Sequence, residues 1–281
     1  MSLPLLLCCD LDRTLLPNGP QPDDPAALPR FRRVAARPEV SLAYVTGRSR
    51  ALVERAMARW SLPPPDVVVA DVGTTIYDVG PHAAWRAWED WRAEIARDWR
   101  GRTPAEIAAA LAGLDALTPQ PEERQGPFKL CYTAPPDTDA AALAAAARAR
   151  LDALGVAAEV VWSVDETGPI GLLDVLPARA TKQGAVNFLS RRRGVPAERV
   201  LFAGDSGNDL AALTGGFPAV LVANATEAVR AEAMRLAHAS GTSDILYMAR
   251  GGFLGMNGNY AAGILEGLAH FFPESAAWMD P

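Results

Sequence analysis

Asp10 and Asp12 stand one residue apart, straight after the apolar run Leu3-Pro4-Leu5-Leu6-Leu7-Cys8-Cys9, and Thr14 follows two positions on. Two carboxylates this close do not both stay ionised cheaply without a cation between them, so the spacing points to a divalent metal. A turn in which either acid caps the next helix explains the same letters, and this stretch alone leaves both readings open. Three further segments bear on the choice. Thr46-Gly47 joins an apolar segment to a helical one, where a hydroxyl and free N–H groups can cradle an anion or simply cap the helix. Lys182 falls in the first turn of a helix, where its charge opposes the helix dipole and calls for a compensating anion, unless the side chain is merely solvated. Asp205 and Asp209, with Ser206, Gly207 and Asn208 between them, form either a polar turn or a ligand set for a hard, oxygen-seeking cation such as Mg²⁺. Two carboxylates, an anion cradle, a lysine and more carboxylates together are the equipment of phosphoryl transfer.

The elements that must position these groups alternate. The run ending at Cys9 reads as a strand buried on both faces. A Pro/Gly/Asp-rich loop, a helix over 24–36, a strand over 40–45, a helix ending at Trp60 before Pro63-Pro64-Pro65 and a strand over 66–70 follow, which means a parallel sheet. Ligands bind at the carboxyl ends of strands in such sheets, where Asp10 and Asp12 lie. The pattern changes near Tyr77. A helical stripe over 84–99, helices over 104–117 and 138–154, and extended segments over 128–133, 156–164 and 170–176 suggest a small α+β module. The first pattern then resumes, with a helix over 181–193, strands over 199–203 and 217–222, a helix over 227–234, a glycine-rich loop over 251–258 and a helix over 260–271. The expected architecture is α/β: a Rossmann-like doubly wound parallel-sheet core in two parts, 1–79 and 178–281, interrupted by a smaller α+β cap domain over 80–177.

Composition sets outer bounds. The chain has 281 residues, a formal net charge of −6 and 49% hydrophobic residues. The acidic balance, with a pI near 5.2, offers no basic field to nucleic acid or a membrane surface, so a small-molecule substrate is expected. Three cysteines, two of them adjacent, imply no disulfide framework, and no apolar run approaches the ~20 residues of a bilayer span. A cytoplasmic setting is expected. Trp85, Trp88, Trp91 and Trp99 could stack on a ring of the substrate, but those at helical spacing, Trp88, Trp91 and Trp99, read rather as cap core. His82, His238 and His270 show no ligand spacing and are read as structural. Lys129 is the cap cation expected to meet substrate hydroxyls, against the alternative of a snorkelling surface lysine.

Asp10-Leu11-Asp12-Arg13-Thr14, Thr46-Gly47-Arg48, Lys182 and Gly204-Asp205-Ser206-Gly207-Asn208-Asp209 resemble, in order, the four motifs of the haloacid dehalogenase superfamily. The insertion between the second and third motifs is similar to that family's C2-type cap. Val72-Gly73-Thr74, Phe128-Lys129, Leu173-Asp174-Val175-Leu176-Pro177 and Tyr260-Ala261-Ala262-Gly263-Ile264-Leu265-Glu266-Gly267 most resemble sucrose-phosphate phosphatases. The resemblance implies that Asp10 attacks phosphorus, that Asp12 serves as acid and then base, and that Mg²⁺ is held by Asp10, the Asp12 carbonyl and Asp205. It further implies that Thr46, Gly47 and Lys182 hold phosphoryl oxygens, with Asn208 and Asp209 supporting them. Arg13, Arg48, Gly73, Thr74 and Lys129 are then the candidate contacts to substrate. Arg13 and Thr75 depart from the pattern, where the family often carries Gly and Glu; Arg13 either reaches the substrate or pairs with a neighbouring acid. The implied substrate is a sugar phosphate, foremost sucrose 6-phosphate, with mannosylfructose phosphate and glucosylglycerol phosphate as alternatives and a phosphosugar mutase as a different class of answer. A monomer is expected, and a sugar-phosphate synthase is the one protein partner the resemblance brings in.

Overall fold

Residues 5–9 are apolar and fully buried, which only a central strand of a covered sheet allows, and they form β1 (Leu5–Cys9). The computed structural model describes residues 4–80, 84–164 and 170–280; Leu3 and His82 lie outside them. From β1 the chain runs through α1 (Ala27–Ala35), β2 (Val40–Val45), α2 (Arg50–Trp60), β3 (Val67–Ala70), β4 (Thr75–Gly80) and β5 (Ala84–Ala87). It returns to the same unit with α6 (Lys182–Arg193), β10 (Val200–Gly204), α7 (Leu210–Leu213), β11 (Ala219–Leu221), α8 (Glu227–Ser240), β12 (Leu246–Met248) and α9 (Ala261–Phe271).

These strands make one sheet in the order β12-β11-β10-β1-β2-β3-β4-β5, parallel from β12 to β3 and antiparallel beyond. Leu5, Leu7 and Cys9 join one apolar cluster with Phe31 and Val34 of α1, Val53 of α2 and Ile264, Leu265 and Leu268 of α9. The alternate residues Leu6 and Cys8 point to the opposite face, and α7 packs against β10 and β11 and against α6 and α8. Burial pushes the Cys8 and Cys9 thiols well up, so both are inert core residues. Successive strands leave β1 in one direction through β2 and β3, and in the other through β10, β11 and β12. The order therefore reverses between β1 and β10, and the crevice beyond their carboxyl ends is where a ligand belongs in such a sheet.

The second unit, residues 88–181, contains α3 (Glu89–Ala96), α4 (Pro104–Leu111), α5 (Ala140–Leu154) and a four-stranded antiparallel sheet. Its strands β6 (Thr118–Pro119), β7 (Leu130–Ala134), β8 (Ala158–Val164) and β9 (Gly171–Pro177) run in the order β6-β7-β9-β8. Trp99, Ile107, Leu143, Leu151, Val160 and Leu173 form its core.

Several expected elements are placed differently. The helical stripe drawn from Ala84 begins only at Glu89. Residues 84–87 instead form β5, which pairs with β4, and Trp85 packs edge-on against Tyr77 at 5.4 Å. The helix expected to reach Leu117 stops at Leu111, ahead of Gly113 at φ +82°. Conversely α8 runs past Met234 to Ser240, where Gly241 caps it in the left-handed region. The three-residue β12 has no sequence period long enough to announce it.

Candidate active site

Each group singled out in the core follows the carboxyl end of a strand or opens a helix. Asp10 follows β1, Thr46 follows β2, Asp205 follows β10, and Lys182 begins α6. Register fixes the neighbourhood: Cys9 lies beside Tyr44 on one side and Ala203 on the other. Lys182 is 3% exposed, and its Nζ donates to Asp10 Oδ1 at 2.8 Å, Asp209 Oδ1 at 2.7 Å and Asn208 Oδ1 at 3.1 Å. The solvated-surface reading of this lysine is thereby set aside. Asp209 spends its other oxygen on the backbone N–H groups of Asp205 and Ser206, each at 3.2 Å, which shapes the 205–209 turn. Gly204 is required there, because a Cβ on it would lie 2.6 Å from the Asp209 side chain.

One oxygen from each of Asp10, Asp205 and Asp209 lies within 4.8 Å of the others, and all three residues are buried. Both oxygens of Asp209 are committed. The Thr14 hydroxyl lies 3.3 Å from Asp10 Oδ2 and 3.1 Å from Asp205 Oδ1, yet it has a single proton to give. Asp10 and Asp209 therefore share one lysine, and acceptor capacity is left on Asp10 and Asp205. That donor set fits a hard divalent cation of the Mg²⁺ type.

Burial pushes Asp10 up to about 8 against the pull of Lys182, with Asp209 and Asp205 adding to the rise. Burial and then the Asp209 charge push Asp205 up to about 7. Acids raised in this way bind more protons folded than unfolded between their unfolded and folded values, so stability falls as pH climbs through that window. The chelator-treated protein is thus expected to melt at progressively lower temperature from pH 5 to pH 8. Mg²⁺ should raise the melting temperature more at pH 8 than at pH 5. A melting temperature in EDTA that is flat or rises over this range would contradict the assignment.

Asp12 takes a different path. Its carboxylate accepts Arg48 Nε at 2.7 Å and Nη2 at 2.6 Å, and Asn18 Nδ2 at 2.7 Å. Burial opposes ionisation of Asp12, but the Arg48 bonds and charge outweigh it and hold the carboxyl below its ordinary value. Lys182 thus serves the first of the two acids and Arg48 the second. Arg13, at φ +57°, sets its Nε 3.5 Å from Asp205 Oδ2, so of the two alternatives it pairs with a neighbouring acid.

Thr46 is fully buried, and its Oγ1 accepts the Arg48 N–H at 3.2 Å. Behind the Thr46-Gly47-Arg48 loop lies a turn, Asp71-Val72-Gly73, with all three residues at positive φ (+51°, +62° and +106°). Asp71 N donates to Arg48 O at 3.0 Å and Val72 N to Thr46 O at 3.1 Å, so the turn anchors that loop. Thr74 is buried and closes the turn through its hydroxyl on Asp71 O. A β-branched residue in the left-handed region costs on the order of 1–3 kcal/mol, which glycine does not pay. Val72→Gly is expected to leave the melting temperature unchanged or higher while lowering kcat/KM several-fold through a looser Thr46. A fall of several degrees with intact kcat/KM would show that the turn serves stability alone.

In the second unit, Lys129 precedes β7 instead of lying on it, in a tight turn with Gly126. Trp99 is core of that unit, 5.5 Å from Phe128, whereas Trp85 packs in the first. His270 stacks on Tyr247 at 4.3 Å and His238 lies in the last turn of α8. Sequence reasoning missed the pairing of Arg48 with Asp12, the part played by Asn18, and Glu266. Buried Glu266 accepts Tyr247 OH and the backbone N–H of Arg250 and Gly251 at 2.8–2.9 Å. An acid in the otherwise apolar helical face of 261–268 is the signal that could have revealed it. No described helix is long and apolar enough to cross a membrane.

The family model for sucrose-6F-phosphate phosphohydrolase matches residues 3–272. A putative HAD-like hydrolase of Nitrosococcus oceani is 50% identical over the whole chain, which covers 75% of that protein. Glucosylglycerol-phosphate synthase of Pseudomonas anguilliseptica is 30% identical over 95% of the chain, which spans 31% of its length. Among solved structures, the sucrose-phosphatase of Synechocystis sp. PCC6803, in complex with sucrose and phosphate, superposes with a TM-score of 0.76 at 25% identity, covering 96% of this chain and 98% of that one. The chain therefore belongs to the sucrose-6F-phosphate phosphohydrolase family and is a phosphoric monoester hydrolase of the haloacid dehalogenase type.

Proposed function

We propose that the protein hydrolyses the phosphate ester of a small sugar, foremost sucrose 6-phosphate, through an aspartyl-phosphate on Asp10. The observation that carries this reading is the single buried Lys182 ammonium bonded at once to Asp10 and Asp209, with Asp205 alongside. Asp10 attacks phosphorus, the bond from phosphorus to the sugar oxygen breaks, and Asp12 supplies the proton that the leaving oxygen takes up. Asp12 then removes a proton from water, which attacks phosphorus and breaks the bond to Asp10. Lys182 orients Asp10 and, with Thr46 and the Gly47 N–H, offers positive charge and donors to the phosphoryl oxygens. Asn208 and Asp209 fix Lys182. Asp10, Asp205 and the Asp12 carbonyl would hold Mg²⁺, which offsets the repulsion between carboxylate and phosphate. Since Arg48 holds Asp12 as a carboxylate here, the acid step requires that pair to loosen when substrate arrives.

The sucrose reading is supported by the family match and by the Synechocystis enzyme, and glucosylglycerol phosphate by the Pseudomonas relative. The test is a panel of sucrose 6-phosphate, mannosylfructose phosphate, glucosylglycerol phosphate and hexose phosphates with Mg²⁺, following free phosphate and product identity. Sucrose 6-phosphate is expected to give the highest kcat/KM. Equal values across the panel would remove the sucrose assignment. Isomerised sugar phosphate in place of free phosphate would mean a mutase.

A further inference from the structure

Asn224 lies outside the four motifs, yet it is 3% exposed and both ends of its amide are used. Its Nδ2 donates to the Arg13 carbonyl at 2.6 Å, and its Oδ1 accepts the Tyr260 N–H at 2.9 Å. The amide orientation follows from chemistry: a carbonyl only accepts and a backbone N–H only donates. Both partners are non-glycine residues at positive φ, Arg13 at +57° and Tyr260 at +50°. Such conformations persist only where the surroundings impose them. Arg13 sits between Asp12 and Thr14, the residues whose side chains meet Arg48 and the Asp10–Asp205 pair.

The far side of this link is itself braced. Ala223 N donates to Gly258 O at 2.9 Å, and Glu266 holds the start of the same 251–258 loop. Tyr260 OH donates to Gln21 O, while Asn257 and Asn259 donate to Pro22 O, so the C-terminal loop also grips the segment after the nucleophile. We propose that Asn224 is a positioning residue for the phosphoryl-transfer reaction. By holding the Arg13 carbonyl it sets the left-handed turn that aims Asp12 and Thr14, and it couples that turn to the 251–260 loop. The inference rests on the function proposed above, and it assigns to the glycine-rich loop the task of bracing the catalytic turn.

The test compares Asn224→Ala and Asn224→Asp with wild type. The aspartate variant keeps the volume and the acceptor for Tyr260 but sets an oxygen against the Arg13 carbonyl. Misplacing a reacting group by about an ångström costs about 100-fold, so kcat is expected to fall ~30–100-fold in both variants, with KM within about threefold. Amide hydrogen exchange should rise in a peptide spanning 8–16 and stay unchanged in peptides of α1 and α8. Arg235→Ala, which removes only an exposed pair with Glu232 on α8, should leave kcat within about twofold. Unchanged kcat, exchange rising uniformly across the fold, or two variants that do not fold would overturn the proposal and leave Asn224 a structural residue. A wild type that releases no phosphate from any sugar phosphate would instead count against the function itself, and the exchange measurement would still decide the role of Asn224.

Discussion

Asp10→Asn is expected to abolish turnover, by 10⁴-fold or more on the order of magnitude seen when an enzyme loses its nucleophile. The argument is chemical before it is structural. An amide oxygen does not form the acyl phosphate through which the reaction divides, and 10⁴ corresponds to about 5.4 kcal/mol of barrier. The fold should survive. Asparagine is isosteric, its oxygen can still accept from Lys182, and one negative charge leaves a cluster in which Asp10, Asp205 and Asp209 crowd within 4.8 Å. The melting temperature is therefore expected to hold or rise while steady-state phosphate release disappears. The measurement pairs a melting curve with phosphate release from sucrose 6-phosphate, and acid-quenched labelling shows whether phosphoryl enzyme forms. Turnover within tenfold of wild type would eliminate Asp10 as nucleophile and the two-step course with it.

Much of the core was legible because its strands are short apolar runs ending in polar residues. β1, β2, β3 and β10 fall within a residue or two of expectation, and with them the placement of Asp10, Thr46 and Asp205 at one sheet edge. Lys182 was legible as a charge at the wrong end of a helix. What escaped depends on contacts distant in sequence. Nothing local in Asn224 shows that its amide joins residues 211 and 36 positions away. Nor does Arg48 announce that it faces Asp12 instead of solvent. The β4–β5 hairpin escaped because Trp88, Trp91, Ile95 and Trp99 fit a helical period drawn back to Ala84, whereas residues 84–87 pair as a strand. Tertiary pairing overrode local periodicity there.

Lys182→Met is expected to separate stability from catalysis in a way no surface lysine could. The variant removes the one ammonium bonded to Asp10 and Asp209, which are 4% and 0% exposed, and it leaves buried carboxylates with no counter-charge. Breaking a buried pair from one side costs roughly 3–5 kcal/mol, which in a chain of this size lowers the melting temperature by about 10 °C. Phosphate release should fall by ~10³-fold or more, since the positive charge beside the reacting carboxylate is gone. The decisive step is the second substitution. Adding Asp209→Asn removes one uncompensated charge, and an amide oxygen can still accept from the backbone N–H groups of Asp205 and Ser206. The double variant should therefore recover much of the lost melting temperature and none of the lost rate, a coupling visible in a double-mutant cycle on stability. Mg²⁺ should also stabilise Lys182→Met more than wild type, because a divalent cation held by Asp10 and Asp205 would answer the same charge deficit. If Lys182→Met melted within a degree of wild type, or Asp209→Asn lowered its stability further, Asp10 and Asp209 would not be sharing that lysine. The electrostatic basis of the site would then have to be sought elsewhere.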